Sequence, residues 1–180
     1  PGRHGRLHRP ATAPPVLRSA PPGGRGDRAG HARHPRGHPD RALHDGDEVK
    51  LGGSVLTAHL TPGHTKGCTT WAMKVSEGSQ TYNAVIVGSP NVNPGYKLVG
   101  NATYPQITED YEKTFRVLKS LPIDLFLGAH GSYFDMETKY ERFKRGQTTA
   151  FVDPSGYKNY VAEREQAFIR ELRKQRATSK

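Results

Sequence analysis

No Phe, Tyr or Trp occurs before position 44, whereas the stretch from 44 to 180 holds all of them together with both Met and the single Cys. A packed core needs large apolar side chains, so the fold is confined to the second stretch. Residues 1–43 combine nine Arg and no Lys with eight Pro and seven Gly. Such a segment buries too little apolar surface to offset its ordering entropy, and a disordered leader is expected there. The same bias is what a GC-rich gene gives when translated out of frame. The predicted organisation is a leader at 1–43 and a domain at 44–180.

Charge follows the same division. Of the formal net charge of +10, the leader carries +7 and the remainder +3. A mildly basic domain suits an anionic small molecule. The leader has neither the Lys nor the interleaved aromatic residues of a nucleic-acid-binding segment, which argues against a nucleic-acid partner. No run is long and apolar enough for a membrane span or for the centre of a secretory signal. Cys68 stands alone, which excludes an intramolecular disulfide and a CxxC-type metal or redox site.

Within the domain, turn residues at 45–47 and 52–53 bracket β-patterned runs at 48–51 and 54–60, a hairpin signature. Two more strand-like runs are expected at 69–75 and 83–87, with a turn-rich segment at 76–80, so an antiparallel sheet is predicted. Helical signals follow. Thr108 is the expected N-cap, Tyr111, Phe115, Leu118 and Leu121 share a face, and Pro122 stops the run. A short buried strand is predicted at 123–127. Met136, Tyr140 and Phe143 predict a second helix ending at Gly146. Asp153-Pro154 opens a third helix that carries Tyr157, Val161, Phe168 and Leu172 toward the core.

Two glycine-flanked loops carry the chemistry. TPGHTKG at 61–67 holds His64, and GAHG at 128–131 holds His130. Neutral imidazole suits zinc, and a catalytic zinc takes about three protein ligands plus an open position. Two histidines alone would make up part of such a site; the alternative is that His64 is a turn residue and that His130 caps a loop after a buried strand.

TPGHTKGCTTW at 61–71, GSPNVNPGYKL at 88–98 and GAHGSYF at 128–134 occur in the order, and at the strand-to-loop junctions, of the C-terminal half of a metallo-β-lactamase. From about 43 to 174 the chain resembles the third subclass of class B. The resemblance implies an α+β (α/β) fold class, half of an αββα sandwich with a mostly antiparallel sheet and helices on one face. It implies two zinc ions as cofactors, and a zinc-bound hydroxide that attacks the carbonyl of a β-lactam substrate; metal coordination supplies that hydroxide near neutral pH. On the same ground His64 is a ligand of the first zinc and His130 of the second. Ser89 and Asn91 lie on the loop that contacts the substrate carboxylate or a zinc-bound water. The family acts in the periplasm or outside the cell.

The family's HxHxDH motif, which supplies the other four ligands, is expected before the hairpin and has no counterpart in this chain. His31, His34, His38 and Asp40 have the wrong spacing and no strand or helix to hold them. The chain is thus expected to represent an incomplete metallo-β-lactamase with little or no activity, and to expose an apolar sheet face through which it self-associates. Two other readings remain: a lactone or thioester hydrolase on the same scaffold, and a non-enzymatic chain whose basic leader binds nucleic acid in a steeply salt-dependent way. His59 is expected to be a packed or half-exposed structural residue of a strand and Cys68 a buried small residue. Trp71, Met73 and Val75 should form sheet-face core and not a substrate stack, and the basic cluster at 170–180 should be a solvated helix end.

Overall fold

The computed structural model describes residues 41–178, so the expected leader lies outside the described residues apart from its last three. Strands β1 (Glu48–Leu51) and β2 (Ser54–Leu60) form the expected hairpin. Its turn residues, Gly52 and Gly53, both have positive φ, as a two-residue turn matching the twist of the strands requires. Strands β3 (Thr69–Glu77) and β4 (Gln80–Val87) are longer than the pattern predicts. The ladder runs to Glu77 opposite Gln80, and the Ser76 and Thr81 hydroxyls meet across it at 3.1 Å, so pairing extends into the polar stretch read as turn.

Helix α1 (Ile107–Ser120) then crosses over, and β5 (Leu125–Gly128) joins the sheet parallel to β4, giving the order β1-β2-β3-β4-β5. A parallel neighbour needs such a crossover connection. Tyr111, Phe115 and Leu118 are buried as their spacing predicts. Thr108 is not the cap: Gln106 holds that position without a side-chain bond, and the Thr108 hydroxyl donates to the Leu98 carbonyl at 2.7 Å.

After a short 3-10 turn at Gly131–Tyr133 comes α2 (Met136–Lys144). The helix is where the pattern predicts it, but Met136, Tyr140 and Phe143 are 46%, 53% and 47% exposed, and the buried residue is Lys139. Its Nζ lies over the Phe126 and Phe134 rings, 5.4 and 5.9 Å from their centroids, and 2.8 Å from Asp153 Oδ2. Asp153 also opens α3 (Pro154–Thr178), accepting the Gly156 N–H at 2.8 Å, as its sequence position predicts.

Residues paired across strands share a face. Val85, Val87 and Phe126 point to the helices and pack with Tyr111, Phe115, Leu118, Tyr157, Val161, Phe168 and Leu172 into the core. On the opposite face Leu56, Trp71, Met73 and Ile86 form one patch that is only half buried, although it lies in the middle of the sheet, so Trp71 and Met73 stand outside the core that their alternation predicted for them, because the helices cover the other face.

Candidate metal centre

Since β2 and β4 both run antiparallel to β3, and β5 runs parallel to β4, the carboxyl ends of β2, β4 and β5 lie at one end of the sheet. The loops that leave them carry His64, Ser89 with Asn91, and His130 respectively. The fold thus gathers three chemistry-bearing segments from distant parts of the sequence.

The His64 loop is closed at its base by Thr61 N–H donating to the Cys68 carbonyl at 2.9 Å, and by the buried Thr61 and Thr70 hydroxyls 3.0 Å apart. Above it lies α1, whose Thr114 hydroxyl donates to the Pro62 carbonyl at 2.6 Å. Gly63 has φ +129°, and a Cβ there would sit 2.8 Å from the Tyr111 ring. Only glycine combines that backbone with that approach. His64 itself is half buried, with Nδ1 2.9 Å from the Asn91 carbonyl. A carbonyl only accepts, so Nδ1 carries the proton and the neutral ring keeps its lone pair on Nε2. Tyr96 stacks on the ring at 5.6 Å and donates its hydroxyl to the His64 carbonyl at 2.9 Å.

The loop after β4 is packed against the first. A Cβ on Gly88 would fall 2.6 Å from the Thr69 carbonyl oxygen and 2.8 Å from Cys68 Sγ. Cys68 is half buried, and its sulfur accepts the Ser89 N–H at 3.1 Å, so it joins the two loops in addition to filling space. Tyr111 donates to the Asn91 carbonyl at 2.7 Å, beside His64. Burial first, and then the neighbouring Tyr96, Cys68 and Tyr104, push the Tyr111 phenol far above its ordinary range, which keeps it a donor. The side chains of Ser89 and Asn91 both reach the Tyr133 hydroxyl, each at 3.1 Å.

His130 follows β5 in an exposed position, its ring edge-on to Tyr133 at 5.0 Å. His59 is half buried on β2, consistent with a strand residue. Sequence reasoning placed Tyr111 on the apolar face of α1 and assigned none of Tyr96, Tyr111 and Tyr133 to the site. Two of them lie inside the quoted motifs, but no local spacing shows that a hydroxyl three residues past His130 returns to the loop at 88–98.

As donors, the histidines suit zinc: His64 has an oriented ring with one free nitrogen, the arrangement that a hydrogen-bonded outer partner gives a metal-binding imidazole. The set as a whole does not fit a zinc centre. Among the described residues no three His, Cys, Asp or Glu side chains are grouped to hold an ion, and a catalytic zinc takes about three protein ligands.

No protein-family model matches the chain. Solved structures do. The native FEZ-1 metallo-β-lactamase from Legionella gormanii is 56% identical over 74% of this chain and 51% of its own, with a TM-score of 0.73. BJP-1, a subclass B3 metallo-β-lactamase of Bradyrhizobium japonicum, is 38% identical over 78% of this chain and 53% of its own, with a TM-score of 0.72. A Cronobacter sakazakii metallo-β-lactamase is 37% identical over 77% and 52%, with a TM-score of 0.71. The chain spans about half the length of each of these proteins.

Proposed function

The chain belongs to the metallo-β-lactamase family, and on that premise we propose that it carries part of a dizinc β-lactam hydrolase. In this proposal His64 serves one zinc ion and His130 the other, with Ser89 and Asn91 on the side that meets the substrate carboxylate. In the complete site zinc would be held in part by His64 and His130, and the chemistry it would supply there is a water made acidic enough to attack a β-lactam carbonyl. The observation that carries the proposal is the His64 imidazole, held through Nδ1 by the Asn91 carbonyl so that Nε2 is left to bind. Its proposed place of action is the periplasm or the exterior of the cell. No described helix is long and apolar enough to cross a membrane.

With one proposed ligand for each ion among the described residues, the chain is expected to bind zinc weakly and to turn over no β-lactam on its own. Zinc calorimetry together with a chromogenic cephalosporin assay tests this; tight stoichiometric zinc with turnover overturns it. The assignment of function is tested by a chimera in which residues 41–178 replace the matching half of the Legionella enzyme. The chimera is expected to hydrolyse the cephalosporin and to lose that activity with His64→Ala. Hydrolysis of lactones alone would reject the β-lactamase reading.

The half-buried patch of Leu56, Trp71, Met73 and Ile86 further leads us to propose that the chain self-associates through this face. Sedimentation velocity on the wild type and on Trp71→Lys is expected to show association that the substitution weakens. A monomer at all concentrations ends this part of the proposal.

A further inference from the structure

We propose that Tyr133 is a positioning residue that fixes the two histidine loops relative to each other, acting through Asn91. The inference rests on the reading that His64 and His130 serve one site. Asn91 is held at both ends. Its backbone carbonyl accepts from His64 Nδ1 at 2.9 Å and from the Tyr111 hydroxyl at 2.7 Å, which occupies both lone pairs. Its side-chain Nδ2 donates to the Tyr133 hydroxyl at 3.1 Å, while Asn91 Oδ1 is buried without a partner. Through that amide the loop at 88–98 is tied to the segment that follows β5.

Tyr133 is itself fixed on three sides. Its ring stacks on Tyr160 at 5.1 Å, with the Arg164 guanidinium over that second ring at 5.6 Å. Its Cδ2 lies 3.0 Å from where a Cβ on Gly128 would stand, so the ring rests on the end of β5. The His130 ring meets its edge at 5.0 Å. A continuous path thus runs from the His64 imidazole through the Asn91 carbonyl and amide to the Tyr133 hydroxyl, and through the Tyr133 ring to His130. Ser89 Oγ, 3.1 Å from the same hydroxyl, completes its partners. Tyr133→Phe keeps the ring and its stacking and removes the atom that the Ser89 and Asn91 side chains share.

The test is long-range nitrogen–proton NMR of the histidine rings in the full chain without metal. It compares the wild type with Tyr133→Phe, Asn91→Ala and the double variant. Loss of one neutral hydrogen bond is expected to speed solvent exchange of the His64 Nδ1 proton ~3- to 10-fold. Asn91→Ala should give the same change, and the double variant no more than either alone, because both act on one connection. Amide exchange in α1 and α3 should stay at wild-type rates, which separates positioning from loss of fold. An unchanged His64 proton in both single variants, or additive effects in the double, overturns the proposal. If Tyr133→Phe disturbs the α1 and α3 amides, Ser89→Ala carries the test: a smaller change at the same His64 signal supports it and no change rejects it. None of these readouts uses zinc or substrate. An inactive chimera combined with the expected NMR response would reject the functional reading alone.

Discussion

The loop that carries His64 is pinned from several directions, whereas the loop that carries His130 depends on its neighbours beyond the 3-10 turn. His64 is half buried, hydrogen-bonded to Asn91, stacked by Tyr96 and set on a glycine pressed against Tyr111. His130 is exposed and meets one ring, that of Tyr133. Behind it the chain turns into α2, which the Lys139–Asp153 pair fastens to the start of α3. One imidazole is therefore oriented by its own loop and the other by elements that follow it. Side chains that must hold a ligand geometry need such support, and the two loops obtain it from different depths of the structure.

Substitutions break or sharpen this contrast, beginning with the largest effect. Gly63→Ala places a methyl group against the Tyr111 ring on a backbone that L-residues avoid, and is expected to destabilise the domain by about 3 kcal/mol in urea unfolding. Lys139→Met keeps the apolar stem and removes the charge opposite Asp153, at an expected cost of about 2 kcal/mol at neutral pH. Burial raises the Asp153 carboxyl, but the Lys139 ammonium, the Gly156 N–H and the charges of Lys139 and Arg142 outweigh it and hold the group below its ordinary value. A depressed carboxyl stabilises the fold above its unfolded pKa of about 3.9 and ceases to do so as pH falls through the folded value. The stability curves of wild type and Lys139→Met should consequently converge below about pH 4.

Tyr111→Phe takes one of two donors from the Asn91 carbonyl and should cost about 1 kcal/mol. His130→Ala should change stability by less than about 0.5 kcal/mol. If His130→Ala proved as costly in denaturant as Tyr111→Phe, the contrast between the loops would fail.

The local elements were legible because their signals are local. The paired glycines at 52 and 53 mark the first hairpin, and Asp153-Pro154 marks the start of α3. The family and its two histidine loops were legible from three short motifs. Thr108 misled because a hydroxyl ahead of an apolar run resembles a cap, while its actual acceptor, the Leu98 carbonyl, lies ten residues away on another segment. The stripe of Met136, Tyr140 and Phe143 has helical spacing, but periodicity does not say which side of a short helix meets the core, and a lysine took that side with the help of two rings and a carboxylate. The link between Asn91 and Tyr133 spans 42 residues and depends on how β4 and β5 align, which no pattern within one segment encodes.

The linear strand order has a consequence in time as well as in space. β1 is four residues long, exposed throughout and paired on one side only, with Leu51 82% exposed. β4 is bonded on both sides and contains Val85 and Val87, neither of which has any exposed surface. In heavy water the backbone protons of β1 should exchange first, those of β2 and β3 next and those of β4 last, so that opening proceeds from one rim of the sheet inward to the strand that leads into Ser89 and Asn91.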